Sequence, residues 1–394
     1  MTCSSLSPHS LPHHAVVRED APTRMPRGTA PSLGLGTPGG VPCPLPSAAR
    51  PRLLPGLAVL RRDGHTVQLG LDPRHAVVVA DLSPGLVALL PELDGRHRVD
   101  ELVARARHAG VRPDEVFHLL ASLTRAGLLE DAATDPAGTG GGCPPRLAAE
   151  TLTWCLRAGS PRRGAVRARA DATVAVHGAG RVGSAVASLL AACGVGRVHL
   201  AADGAVTSEE VGLAYPASDV GRPRAAAVAD AVRRVAPETR VAARPPQGDV
   251  DLVVLASGPV AAPELVTALT ARRVPHLPVS VREGVAVVGP LVFPGRSSCL
   301  RCVALHRRDA DPQWPVLAAQ LADRPQPADL PGAAAAAALA VGQALLALGW
   351  AYGPTRRPPS WNAVLELDPL DGVLRRRSAP PHRECGCGAF AVSA

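Results

Sequence analysis

The stretch TVAVHGAGRVG, residues 173–183, decides the fold of the larger part of this chain. An apolar run that starts at Thr173 is followed at once by Gly178, Gly180 and Gly183, and then by an apolar pattern of helical period. A strand, a glycine turn and a helix in this order form the fingerprint of a dinucleotide-binding βαβ unit, in which the turn lets the backbone approach phosphate groups. The sequence therefore predicts an α/β domain with a nucleotide-type loop.

The next predicted strand covers residues 197–201, and Asp203 follows its end. An acid at this position holds a ribose hydroxyl in dinucleotide-binding folds. Simpler explanations stay open for two of these residues. Gly183 can serve only to let a helix pack close to a strand, and Asp203 can be a plain cap of a turn or helix.

The segment after Asp203 separates the possible nucleotide-binding families. A short arm, GAVTSEEVG, is followed by DVGRPR, residues 219–224, and then by a helical pattern; further apolar strands follow at 251–256 and 275–279. This order resembles the ThiF and ubiquitin-activating-enzyme superfamily, and the resemblance covers residues 147–394. It implies a Rossmann-like ThiF domain, with Gly178, Gly180, Gly183, Asp203 and Arg224 as the residues that would bind a nucleotide.

The resemblance also implies that ATP binding is impaired. Arg224 stands where the family has its ATP-contacting lysine, and arginine is itself a good phosphate binder. The family's adenylating arginine and its magnesium-binding aspartate, however, fall on Gly212 and Gly258 of this chain. Adenylyl transfer needs cations to offset the charge that develops on the phosphates, so their loss predicts a degenerate ATP and Mg²⁺ site.

Four cysteines form two closely spaced pairs that are far apart in the chain. Cys299 and Cys302 make a C-x-x-C motif, and Cys385 and Cys387 make a C-x-C motif near the end. Two such thiol pairs match the ligand set of a tetrahedral Zn²⁺ that ties a terminus back onto a domain, and four protein ligands make a metal structural rather than catalytic. A redox dithiol and unrelated buried thiols are the alternatives. ThiF-like domains carry two C-x-x-C pairs at matching positions, so the C-x-C departure leaves His382 as an alternative fourth ligand.

A smaller unit precedes the ThiF-like region. Residues 59–69 form two apolar stretches around an Asp-Gly turn, which predicts a β-hairpin. Three helices should follow: the first capped by Ser83, the second from Val99 to about Ala109, and the third after Pro113. This order over residues 51–131 is similar to the small winged-helix modules of the PqqD type, which implies peptide binding by strand addition. A DNA-binding or purely structural winged helix is the alternative. Residues 1–50 are predicted to be a disordered tail and 132–146 a linker.

The composition limits the classes of partner and the cellular locations that are expected. The formal net charge is +8, but the arginines are scattered and no basic stripe with aromatic residues appears, which argues against nucleic acid. The apolar run 332–350 is rich in alanine, which favours a buried helix over a membrane span. No secretory signal pattern is present near the start, so a cytoplasmic location is expected.

Taken together, these patterns are similar to the leader-binding partner proteins of azoline-forming natural-product pathways. That resemblance implies a scaffold that recognises the leader of a precursor peptide and presents it to a separate YcaO-type cyclodehydratase, with structural zinc and a possible homodimer. The alternative is an active adenylyltransferase acting on the C-terminus of a carrier protein or peptide. An NAD-dependent oxidoreductase and a DNA-binding regulator are disfavoured, because neither a hydride-transfer arrangement nor a basic helix face is evident.

Overall fold

The computed structural model describes residues 32–34, 45–134, 145–158, 166, 168–242, 250–322, 324–325, 327–350 and 357–393. The chain divides into two compact units. One comprises Met1–Pro51 and Leu57–Ser122, and the other comprises Arg52–Gly56 and Leu123–Ala394.

The smaller unit contains a four-stranded sheet of order β1-β5-β4-β3. Its hairpin pairs β3 with β4 in antiparallel register and lies where the sequence predicts it. The fourth strand, β5, was not anticipated from the sequence, although its residues are almost all buried. The strands are β1 (Ser32–Gly34), β3 (Val59–Arg61), β4 (Val67–Leu69) and β5 (Val77–Ala80), while β2 (Pro51–Leu53) pairs outside this sheet.

The three predicted helices are all present: α1 (Pro84–Leu89), α2 (Val99–His108) and α3 (Pro113–Arg125). Ser83 caps α1, as expected, because its hydroxyl accepts a hydrogen bond from the backbone N–H of Leu86 at 3.3 Å. Strand β6 (Leu129–Asp131) follows and pairs with β2. A hairpin followed by three helices is therefore confirmed, whereas the winged-helix assignment stays a prediction.

Part of the predicted disordered tail is ordered, which corrects the expectation for residues 1–50. Ala49 is buried, and its carbonyl oxygen accepts a hydrogen bond from the N–H of Val99 at 3.0 Å. Strand β1 pairs in parallel with Val78–Ala80 of β5. The composition of the tail did not reveal these contacts because they are made by the backbone. Residues 1–31 and 35–44 of this tail, and 135–144 of the predicted linker, lie outside the described residues.

The larger unit is built on an eight-stranded sheet of order β14-β13-β12-β11-β10-β7-β8-β9. The five neighbouring strands β9, β8, β7, β10 and β11 are parallel. Strands β12, β13 and β14 continue the sheet beyond β11 in antiparallel register. The α/β sheet predicted from the glycine motif is thus confirmed. The strands are β7 (Thr173–His177), β8 (Arg197–Ala201), β9 (Arg240–Ala242), β10 (Leu252–Leu255), β11 (His276–Arg282), β12 (Val285–Val288), β13 (Ala363–Asp368) and β14 (Val373–Ser378).

Helices cover both faces of this sheet. Side chains alternate along a strand, so Val174 and Val176 of β7 join the main core on one face, while Ala175 joins a smaller core on the other. The helices are α4 (Ala148–Ala158), α5 (Arg181–Ala192), α6 (Arg224–Val235), α7 (Pro263–Ala271), α8 (Leu300–Ala310), α9 (Trp314–Leu321), α10 (Leu330–Trp350) and α11 (Ala389–Ser393).

Helix α10 is long and apolar enough to cross a membrane, but it packs on α5 and on strands β11 and β12. Of its most apolar 18-residue window, 61% is buried inside the fold. Six of its alanines are buried in the main core, where small side chains let the helix approach the sheet. The prediction of a buried core helix is confirmed.

Candidate functional site

The glycine turn joins β7 to α5 with almost no free space around two of its glycines. Gly178 has a φ of +97°, and a Cβ there would lie 2.6 Å from the backbone of Ala256. A Cβ on Gly183 would lie 2.0 Å from the carbonyl oxygen of Gly178. Gly180 is different, because its nearest neighbour would be the Oε1 of Glu210 at 3.5 Å. Two of the three glycines are therefore required by packing, whatever the loop binds.

A cavity of about 430 Å³ lies over this turn and brings the predicted nucleotide-binding residues together. Its wall includes the glycine turn, Asp203 after β8 and Arg224 at the start of α6. Asp203 is exposed, and its carboxylate makes no hydrogen bond with any residue that the structure describes. Arg181 and Val182, the first residues of α5, also line this space, and the first backbone N–H groups of a helix are the donors that bind phosphate in such loops.

Arg224 already has an anionic partner. Its Nε donates to both carboxylate oxygens of Glu210, at 3.1 and 3.0 Å, and one guanidinium nitrogen donates to the carbonyl oxygen of Asp203 at 2.8 Å. The N–H of Thr207 donates to Glu210 at 2.9 Å, which fixes that carboxylate in a capping box. The side chain of Glu210 is only 14% exposed. A fixed carboxylate thus lies beside the glycine turn and lines the same cavity.

A buried tyrosine supports the turn from below. The Tyr215 hydroxyl donates to the carbonyl oxygen of Ala179 at 2.7 Å, and the side chain is fully buried. Burial, together with the charge of Glu210, raises the pKa of this hydroxyl. Arg181, the first residue of α5, donates to the carbonyl oxygens of Ala328 and Val211 at 2.6 and 3.3 Å. Sequence reasoning missed Glu210, Tyr215 and Arg181; for Glu210, the Thr207 capping box was a usable signal.

The four predicted cysteines come together at the start of α8 and near the C-terminus. All four sulfurs lie within 4.8 Å of one another, and neighbouring Sγ atoms are 3.5 to 3.7 Å apart. A tetrahedral ion with Zn–S bonds of about 2.3 Å requires sulfurs about 3.8 Å apart, whereas a disulfide requires about 2 Å. The cluster therefore fits a metal such as zinc, not a redox pair.

The thiols of the cluster shift the pKa values of one another. The hydrogen bond from Cys299 lowers the pKa of Cys302 to about 4, and the same contact raises the pKa of Cys299. Burial raises the pKa of Cys385 to about 11. Several thiolates packed together repel one another, and a divalent cation removes that repulsion by binding them.

His382 does not share this site, which answers the question left open by the C-x-C spacing. Its Nε2 is 2.8 Å from a carboxylate oxygen of Asp309, and its Nδ1 accepts a hydrogen bond from the N–H of Glu384 at 3.1 Å. Both ring nitrogens are therefore engaged away from the sulfurs. His382 instead fastens the C-terminal segment to α8, where its ring also packs edge-on against His306.

Comparisons with known proteins agree with this geometry. The sequence profile of the ThiF family matches residues 162–389, more than half of the chain. This chain belongs to the ThiF family. A sequence search of curated proteins found no match.

Solved structures share the fold at low sequence identity. Escherichia coli MccB crystallised with ATP is 15% identical, with a TM-score of 0.61 over 86% of this chain and 99% of that one. The microcin C7 biosynthetic enzyme MccB in complex with N-formylated MccA is 14% identical, with a TM-score of 0.62 and the same coverage. PaaA is 18% identical, with a TM-score of 0.62 over 82% of this chain and 98% of its own. The chain therefore shares the fold of the microcin C7 biosynthetic enzyme MccB and of PaaA.

Gly212 and Gly258, where the chain departs from the ThiF pattern, lie close against neighbouring atoms. Gly212 has a φ of +145°, and a Cβ there would lie 2.3 Å from a methyl group of Leu330. A Cβ on Gly258 would lie 2.6 Å from the carbonyl oxygen of Arg324. The Leu330 side chain and the backbone of Arg324 therefore occupy the space that a side chain would need at these two positions.

Proposed function

We propose that this ThiF family protein binds the leader of a ribosomally made precursor peptide and presents it to a separate YcaO-type cyclodehydratase, without activating the peptide itself. The observation that carries the proposal is the ion pair between Glu210 and Arg224 beside the glycine turn. This ion pair supports the hypothesis that the cavity over the glycine turn binds phosphates poorly.

The physical argument is electrostatic. A phosphate held by the glycine turn would lie next to the Glu210 carboxylate, and two like charges about 4 Å apart repel by about 4 kcal/mol at an effective dielectric constant of about 20. Arg224 would have to leave Glu210 to reach the phosphate, so the loss of that ion pair would offset most of its attraction for the phosphate. Because Gly258 offers no carboxylate, Mg²⁺ gains no protein ligand there to offset the repulsion.

The small unit supports the peptide-binding half of the proposal. Its hairpin and three helices follow the order of PqqD-type modules, and the antiparallel strands of its sheet offer backbone groups to which an extended peptide could add. MccB, which shares this fold, has been crystallised with its peptide MccA. In the proposal, backbone pairing supplies affinity and neighbouring side chains supply selectivity.

An active adenylyltransferase is the second candidate, and one observation favours it. The strand, glycine turn and helix are intact around a cavity of about 430 Å³, and the exposed Asp203 carboxylate lies on its wall. MccB also has a structure with ATP. In this alternative, Glu210 would swing away on ATP binding and release Arg224 to the phosphates.

Calorimetry with MgATP separates the two candidates. We expect no detectable binding to the wild-type protein and at least tenfold tighter binding to the Glu210→Gln variant, because that change removes the like charge and frees Arg224. Glu209→Gln is the matched control, since Glu209 is the exposed neighbour and makes no bond with Arg224. Micromolar ATP binding by the wild type, with pyrophosphate exchange in the presence of peptide, would overturn the scaffold.

Leader binding needs a separate measurement. A synthetic leader from the precursor peptide encoded nearest to this gene should bind the full chain with micromolar or tighter affinity, with or without ATP. The same leader should pull down the cyclodehydratase only in the presence of this protein. A leader that binds the cyclodehydratase equally well by itself would remove the need for a scaffold.

Zinc is proposed as the ion of the cysteine cluster. Cys299, Cys302, Cys385 and Cys387 would hold it through four thiolates, so it would supply structure and no chemistry. A cytoplasmic location and a homodimer remain predictions; size-exclusion chromatography with light scattering tests the latter.

A further inference from the structure

A second cavity, of about 370 Å³, lies in the larger unit on the sheet face covered by α7, α8 and α9. Its wall is mostly aliphatic, with Leu255 from β10, Val266 from α7 and Val287 from β12 among its residues. Such a volume accommodates a small organic molecule. The cavity lies next to the carboxyl end of β10, where open α/β sheets bind ligands.

Arg301 on α8 lines this cavity from an exposed position, and two half-buried arginines interrupt its apolar wall: Arg282 at the end of β11 and Arg307 on α8. Neither makes an ion pair or hydrogen bond with another residue in the described part of the chain. The charge of Glu366 acts on both arginines, but its carboxylate is hydrogen-bonded to Arg377 at 2.5 Å. Arg307 instead stacks on Trp314, with its guanidinium carbon 4.5 Å from the ring centre.

Both side chains are half-buried, and no ion pair among the described residues neutralises either guanidinium group. Burial lowers the pKa of Arg282, and burial together with the repulsion from Arg282 lowers that of Arg307 to about 10. Buried charges are ordinarily paired, because taking an unpaired charge out of water is costly. Two unpaired cations facing an apolar cavity are therefore complementary to an anion with an apolar body.

We propose that this cavity binds an organic carboxylate, with the carboxylate on Arg282 and Arg307 and its hydrocarbon body against the aliphatic wall. The planar guanidinium matches a carboxylate in two-point hydrogen bonding, which makes the acid a better fit than a spherical anion. The cavity is separate from the glycine-turn cavity, so this site stands whether or not the protein binds ATP or a leader.

Calorimetry with octanoate and octanamide tests the site, because the two compounds share one body and differ in charge. Octanoate should bind at least tenfold more tightly than octanamide. Arg282→Gln and Arg307→Gln should each weaken octanoate binding by about tenfold to a hundredfold and leave octanamide unchanged. Arg272→Gln, which removes an exposed arginine away from the cavity, should change neither affinity.

A cavity-filling variant distinguishes the loss of the cavity from a loss of folding. Val266→Trp should abolish binding of both compounds while the melting temperature and metal content stay near wild type. Equal affinity for octanoate and octanamide, no octanoate binding up to millimolar concentration, or an Arg272→Gln loss equal to that of Arg282→Gln would each overturn the proposal.

The same comparison with N-acetyl-Leu-Val and its C-terminal amide separates a peptide end from a free acid. A preference for the free peptide acid over octanoate supports the carboxylate site and assigns it to chain ends. A preference for octanoate over the peptide acid supports it as a site for small acids. Failure of the leader to bind, with octanoate still bound through the two arginines, would count against the proposed function alone.

Discussion

The glycine turn and the cysteine cluster are both recognisable motifs of this chain, but they differ in how their side chains are engaged. The cluster needs four sulfurs at tetrahedral spacing, and Cys299, Cys302, Cys385 and Cys387 lie within 4.8 Å of one another. The turn keeps its backbone, yet a carboxylate lies beside it and its arginine is paired. A glycine turn that the backbone packing requires therefore does not by itself show that a nucleotide binds there.

The difference also concerns what each motif does for stability. Gly178 and Gly183 are needed for β7 and α5 to pack, even if no nucleotide ever binds. The cysteine cluster joins α8 to the C-terminal segment, which are about 85 residues apart in the chain. Both motifs can thus be retained for stability, and the following experiments test how far that holds for each.

Removing the metal should have the largest effect. We expect about one zinc per chain by mass spectrometry, and Cys302→Ser should lose it and lower the free energy of unfolding by about 4 kcal/mol or more, the stabilisation from a ligand at a thousand times its dissociation constant. Cys193→Ser is the control, since Cys193 lies outside the cluster. If the wild-type protein is stable without a metal, the prediction that the cysteine cluster stabilises the fold by binding zinc is wrong.

Alanine at two glycines of the turn should give the next largest effect. Gly183→Ala places a methyl group 2.0 Å from a carbonyl oxygen, so it should cost about 1–3 kcal/mol of unfolding free energy in denaturant titrations. Gly180→Ala has room for its methyl group and loses only part of a helix cap, so it should cost no more than about 1 kcal/mol. Equal losses would mean that packing does not distinguish the two glycines.

A pH-dependent effect should be the smallest. Burial lowers the pKa of His276, whose backbone pairs with Val292 beside the cysteine cluster. The unfolded chain therefore takes up a proton near pH 6.5 while the folded chain does not, and stability falls as the pH drops below about 6.5. His276→Asn should lose less stability than wild type between pH 7.5 and 5.5.

The comparison between variants isolates this histidine from the acid sensitivity of the thiolates. His108→Asn, at an exposed position on α2, is the control and should keep the wild-type pH dependence. His177, at the end of β7 beside the glycine turn, also has a pKa lowered by burial. His177→Asn should therefore also reduce the loss of stability as the pH falls. An unchanged slope in both buried-site variants would show that neither histidine contributes.

Much of the fold was predictable because its signals are local. The glycine turn, the cap at Ser83 and the hairpin over residues 59–69 each depend on neighbours a few residues apart, and all three stand where the pattern placed them. The disordered tail was predicted too long, because backbone pairing of residues 32–34 leaves no trace in composition.

The sequence by itself determined the α/β fold, the core helix over residues 332–350 and the four cysteines, since periodicity and spacing carry that information. Only the tertiary structure decided that Glu210 pairs with Arg224 and that Leu330 fills the space at Gly212. It alone brought Arg282 and Arg307 to one cavity. The physical reason is that these contacts depend on how separate elements pack, and no local pattern encodes which side chain will face another across a folded core.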